Sequence, residues 1–131
     1  MRRPLIAGNW KMHKTVAEAM TFVGELLACD LPAGVDVTIA PPFTALAAVG
    51  RELRRSPVAL AAQTMHEGTH GPFTGEISPV MLRELGVRYV ILGHSERRAH
   101  CGELDAAIAR KVRSALDHRL TPIVAVGETR E

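Results

Sequence analysis

Apolar and polar positions alternate along the chain with two different periods, and the alternation itself predicts the elements. Five apolar runs have the length of strands, at residues 5–9, 36–40, 58–63, 88–93 and 122–128. Between the first two, Thr15 and Glu18 have the spacing of a capping box. Val16, Ala19, Met20, Val23, Leu26 and Leu27 then make one helical face, stopped by Pro32 and Gly34. Phe43, Leu46, Val49 and Leu53 make a second face that ends before Pro57. A short third helix has Ser78 as N-cap, Pro79 at its first position, Leu82 and Leu85 inward and Gly86 as its stop. In the fourth, Leu104, Ala107, Ile108, Val112, Ala115 and Leu116 recur at helical spacing. Glu103 and Asp105 stand near its start and Arg113, His118 and Arg119 near its end, as the helix dipole favours. Five strands interleaved with four helices, joined by right-handed crossovers, predict an α/β fold with a parallel sheet.

Connections in such folds usually run two to six residues, yet residues 64–77 and 94–102 form two long interruptions. Both follow the C-terminal end of a strand, where parallel sheets place their binding chemistry. At 131 residues the chain has room for one core. Its 47% hydrophobic and 23% charged content excludes a disordered chain, and 4% aromatics predict a core of Ala, Val, Leu and Ile. Sixteen basic against 14 acidic residues leave a net charge of +2, too little to point to a nucleic-acid surface. The densest basic cluster, Arg51, Arg54 and Arg55, reads as a solvated helix end. No apolar run approaches the ~18 residues of a membrane span, and Arg2 and Arg3 precede only a short apolar stretch. Cys29 and Cys101 are expected to be reduced thiols in a cytoplasm rather than a disulfide framework.

Three polar strings carry candidate chemistry. HEGTH (residues 66–70) matches the H-E-x-x-H zinc pattern, but that pattern needs a helix, and Gly68, Gly71 and Pro72 argue for a solvated loop. His13, His100 and His118 are expected at the surface. GHSERR (residues 93–98) emerges where a buried strand leaves the sheet, so Gly93 allows close backbone approach and His94 is placed to exchange or donate a proton near neutral pH. AGNWKM (residues 7–12) repeats the logic at the first strand, with Asn9 and Lys11 just beyond its apolar run. A lysine and a histidine at two strand ends predict a small anionic ligand, of the phosphate-ester kind, over the C-terminal edge of the sheet.

AGNWKM, AQTM, GPFTGEIS, YVILGHSERR and VAVGETRE occur in this order over essentially the whole chain, and together they resemble triosephosphate isomerase. The resemblance implies a (β/α)₈ barrel, here its first four βα units and fifth strand. It also implies a cytoplasmic homodimer of glycolysis and gluconeogenesis that interconverts dihydroxyacetone phosphate and glyceraldehyde 3-phosphate without metal or organic cofactor. It implies roles too: Lys11 holds the substrate anion, Asn9 lines the same pocket, and His94 polarises the substrate carbonyl as a neutral imidazole, as is established for this family. Glu96 becomes the carboxylate beside Lys11, Ser95 part of the same polar shell, and residues 71–76, with Phe73 and Thr74 near the tip, the loop that reaches a neighbouring subunit.

Two positions depart from the resemblance: Ala125 stands where the family commonly has cysteine, and Thr64 where it commonly has asparagine. A barrel of this kind typically needs about 250 residues. The family's glutamate base, its lid and its late phosphate loops belong to strand ends beyond Glu131. The 131-residue polypeptide is therefore expected to be inactive alone and, with two open sheet edges, to self-associate, to pair with a complementary C-terminal fragment or to be partly molten. The alternative is a short, non-catalytic family member acting as an interaction or substrate-binding module. An unrelated Rossmann-type binder is disfavoured, because no G-x-G-x-x-G turn follows the first strand.

Overall fold

The computed structural model describes residues 1–128; Thr129, Arg130 and Glu131, which close the VAVGETRE string, lie outside the described residues. Five strands, β1 (Leu5–Asn9), β2 (Asp36–Ala40), β3 (Val58–Ala62), β4 (Val87–Leu92) and β5 (Thr121–Val124), form one parallel sheet in sequential order. Singly wound order with helices between the strands makes this a partial (β/α)₈ barrel. The register shifts between Leu60 and Ala61, where β3 meets β4.

The helices are α1 (Val16–Leu27), α2 (Phe43–Leu53), α3 (Pro79–Glu84), α4 (Ser95–His100) and α5 (Asp105–Asp117). Thr15 and Glu18 close the expected capping box on α1. Ser78 Oγ accepts from the Met81 amide at 3.2 Å, with Pro79 in the first turn of α3. The main core lies between sheet and helices, built on Val23, Leu46, Val49, Leu60, Met65, Leu82, Val90, Leu92 and Leu120. A smaller cluster, Ala40, Ala61, Tyr89 and Ile91, occupies the other face of the sheet.

Several expectations need correction. The second interruption contains a helix, α4, which has no buried residue and hence no apolar stripe to betray it. The fifth strand is shorter than residues 122–128, because ladder pairing with β4 ends at Val124. Val16, Leu104 and Leu116, assigned to inward faces, are exposed. Leu104 is the N-cap of α5 rather than part of its stripe, while Glu103 and Lys111 are buried in their stead. His118 is half-buried, its Nδ1 lying 2.7 Å from Ser114 O. Exposed Ile6, Val124 and Val126 sit on or just after the two terminal strands, as open sheet edges require.

Candidate active site

The C-terminal ends of β1, β3 and β4 deliver Asn9, Lys11, Gln63, Thr64, His94 and Glu96 to one cleft. Lys11 has a positive φ of 54°, a conformation that costs a non-glycine residue about 1–3 kcal/mol. Two side chains hold it. Asn9 Oδ1 accepts the Lys11 amide hydrogen at 3.0 Å, and Gln63 Nε2 donates to Lys11 O at 2.8 Å and to Ala40 O at 2.9 Å. Gln63 thus ties together the ends of three strands. It was not among the expected site residues, although its place at the polar end of an apolar run in AQTM was the signal.

Gly93 turns the chain out of β4 with a φ of 73°, and a Cβ there would lie 3.0 Å from Arg98 Nη2 and 3.2 Å from Ile108 methyls. Arg98 straps this exit, donating from Nε to Gly93 O at 2.8 Å and from Nη1 to Asp105 at 2.5 Å. His94 then caps α4, and its Nδ1 accepts the Glu96 amide hydrogen at 3.1 Å. That bond needs the Nδ1 lone pair, so a neutral ring carries its hydrogen on Nε2. The Glu96 carboxylate also lies 3.6 Å from Nδ1, too far to compete with the amide.

Lys11 Nζ lies 2.7 Å from Glu96 Oε1, joining the β1 and β4 ends by an ion pair. The hydrogen bond from Lys11 holds the Glu96 carboxyl below its ordinary range; slight desolvation opposes this, and the charges of Lys11, His94 and His100 reinforce it. Replacing Lys11 by methionine (Lys11→Met) is therefore expected to move the Glu96 titration upward. Carboxyl-carbon NMR across pH 3–7 checks this; an unmoved titration would show that the pair does not persist in solution.

Ser95 is exposed in the first turn of α4, beside these groups but outside the cleft lining. Ala125 lies beyond the ladder end and lines a second groove with Gly93, His94 and Glu128. Behind the cleft, Arg97 Nε bonds Glu103 Oε2 at 2.7 Å, and buried Lys111 Nζ bonds Glu103 Oε1 at 2.6 Å. Sequence spacing had assigned Glu103 only to the helix dipole. Its burial and pairing are tertiary facts.

HEGTH is not helical. Gly68 donates to His66 Nδ1 at 2.9 Å, and the His66 ring stacks on Phe73 at 4.0 Å between centroids. Arg110 grips the Glu67 carboxylate at 2.8 and 3.1 Å while Ser114 Oγ donates to Glu67 O, fastening the base of the loop to α5. Among the described residues no group of three or more His, Cys, Asp or Glu side chains is placed to hold a metal ion. Residues 71–76, including Phe73 and Thr74, are exposed. No helix among the described residues is long and apolar enough to cross a membrane.

A singly wound parallel sheet with its polar chemistry at the C-terminal strand ends defines the (β/α)₈-barrel class. The family model of triosephosphate isomerase matches residues 4–131. The chain is 54% identical over 132 aligned positions to the triosephosphate isomerase of Carboxydothermus hydrogenoformans, covering 100% of this chain and 53% of that protein. It is 55% identical over 131 positions to that of Chloroflexus aurantiacus, covering 99% and 52% respectively. The chain belongs to the triosephosphate isomerase family. It spans about half the length of the curated relatives it matches.

Proposed function

We propose that this chain supplies the Lys11 and His94 side of a triosephosphate isomerase active site, which interconverts dihydroxyacetone phosphate and D-glyceraldehyde 3-phosphate through an enediolate. The observation that carries the reading is the convergence of Lys11 from the β1 end and His94 from the β4 end on one cleft, with Glu96 meeting Lys11 through its carboxylate and His94 through its backbone amide. Lys11 offers a positive charge to the substrate anion, and Asn9 shapes the loop that presents it. Nδ1 of His94 is engaged by the Glu96 amide, so Nε2–H is the free donor for the substrate carbonyl oxygen. As a base removes the proton from carbon, negative charge moves onto that oxygen, where a fixed neutral donor is matched to an enediolate in basicity. Glu96 orients Lys11, and Ser95 belongs to the surrounding polar shell. No metal or organic cofactor is required by this chemistry.

Among the described residues the carboxylate lining this cleft is Glu96, which Lys11 already engages. The carbon base therefore comes from the part of the fold that the relatives possess beyond the matched half. The 131-residue polypeptide by itself is expected to show no appreciable isomerase turnover, and to gain it when paired or fused with the complementary half of a relative. A coupled assay on material purified from an isomerase-null host checks this, and turnover by the unpaired chain would sink the proposal.

The family's homodimer is the proposed assembly, with the exposed loop carrying Phe73 and Thr74 entering a second subunit. The isolated polypeptide is expected to self-associate as well, because Ile6, Val124 and Val126 are exposed at the sheet's ends. Light scattering across a hundredfold dilution tests that, a constant monomer mass being the contrary result. The proposed setting is the cytoplasm.

A further inference from the structure

The loop between β1 and α1 carries two non-glycine residues at left-handed φ, Lys11 at 54° and Lys14 at 78°. Such residues are strained and persist only where their surroundings hold them. Asn9 and Gln63 hold Lys11. The next two residues, Met12 and His13, are exposed, so the downstream side of the loop is held at the half-buried Lys14. Its side chain turns back onto two rings: Nζ lies over Trp10, 5.8 Å from the ring centroid, and over Phe22 at 5.1 Å. A cation within about 6 Å of an aromatic ring is attracted by its face.

Both rings are themselves fixed. Trp10 is buried, and its amide donates to Ala40 O, at the end of β2, at 3.1 Å. Phe22 belongs to α1 and packs against the main core. The two rings meet edge to face, with centroids 5.1 Å apart and planes at 79°, and Trp10 directly precedes Lys11. Resting on the role proposed for Lys11, we infer that Lys14 is a positioning residue for it: the Lys14 ammonium, seated over Trp10 and Phe22, fixes the loop in the conformation that directs Lys11 Nζ to Glu96 and the cleft.

Three substitutions separate the cation from the strain. Lys14→Met removes the charge and keeps a long side chain, Lys14→Arg keeps the charge, and Lys14→Gly removes the charge and the strain together, since glycine takes this φ freely. In Lys14→Met the Glu96 titration is expected to move upward, in the same direction as in Lys11→Met, because the Lys11 hydrogen bond that lowers it is made less often. Lys14 is not among the charges that act on Glu96, so the movement reports where Lys11 points. The Lys11 amide, which donates to Asn9 Oδ1, is expected to exchange with solvent about threefold faster, the factor that corresponds to an exposed cation–π contact. Lys14→Arg is expected to restore both. Lys14→Gly is expected to melt no lower than Lys14→Met and still to show both changes, which a purely stabilising role of Lys14 would not produce.

The experiment is carboxyl-carbon NMR of Glu96 across pH 3–7, with amide exchange at Lys11, on the whole chain and its variants. In the Lys11→Met background, Lys14→Met is expected to leave the Glu96 titration where it is. A titration that moves in Lys11→Met but stays at its wild-type position in Lys14→Met and Lys14→Gly would overturn the inference. Further movement in the Lys11→Met background would overturn it too, since Lys14 would then act on Glu96 through its own charge. A titration that Lys11→Met itself leaves unmoved would overturn the Lys11–Glu96 geometry of the proposed site, and this inference with it.

Discussion

The substitution Gln63→Glu is expected to lower the unfolding free energy by about 2–4 kcal/mol at neutral pH, although the two side chains are nearly isosteric. The Gln63 amide directs its two hydrogens to Lys11 O and Ala40 O. A carboxylate has no hydrogen to offer, so two carbonyl oxygens face an anion and the strained Lys11 backbone loses one of its two clamps. Between two carbonyls the introduced carboxyl holds its proton more tightly than in the unfolded chain. Its folded pKa is thus raised, and the deficit shrinks on acidification, because the protonated form donates one hydrogen bond. Urea unfolding of variant and parent at pH 7 and pH 5 checks both parts. Equal stability at pH 7 would remove Gln63 as the tie between the strand ends.

The second large effect lies behind the cleft, where Glu103 is held by Arg97 and by Lys111, with Glu103 and Lys111 side chains only 7% and 9% exposed. Glu103→Gln leaves the Lys111 ammonium buried without a countercharge, which is expected to cost about 3–5 kcal/mol. Burial pushes the Glu103 carboxyl upward, but hydrogen bonds from Lys111 and Arg97, reinforced by their charges, outweigh it and hold the group below its ordinary value of 4.5. For a carboxyl with a depressed folded pKa, the stabilisation is present above the unfolded value and is lost as pH falls through the folded one. The wild-type chain should therefore lose stability as pH drops below about 4.5, and Glu103→Gln should flatten that acid limb. Unfolding free energies from pH 7 to pH 3 decide it, parallel curves being the adverse outcome. Because Arg97 also lines the cleft, this cluster links the stability of α5 to the wall of the site.

Elements with a strong local signature were legible in advance. Thr15 with Glu18, Ser78 with Pro79, and Gly86 with its positive φ of 80° all stand at the helix boundaries their chemistry predicted. Helix α4 was not legible, because SERRAH buries no residue and so has no periodicity to read. Lys11 and His94 were legible as chemistry because each follows an apolar run at a strand end, whereas the Lys11–Glu96 ion pair that joins the two ends links residues 85 positions apart in sequence.

What the sequence by itself determined is the order of elements, hence a parallel sheet, and the strings that place this chain in its family. Hydrophobic period, caps and turn residues are local properties, and crossover handedness leaves few arrangements once their order is known. Tertiary structure alone decided which polar groups share a neighbourhood: Gln63 beneath Lys11, and Glu103 between Arg97 and Lys111. The worth of a hydrogen bond or an ion pair depends on burial and on the partners within about 3 Å. Those partners come from segments far apart in the chain, so neither periodicity nor composition contains them.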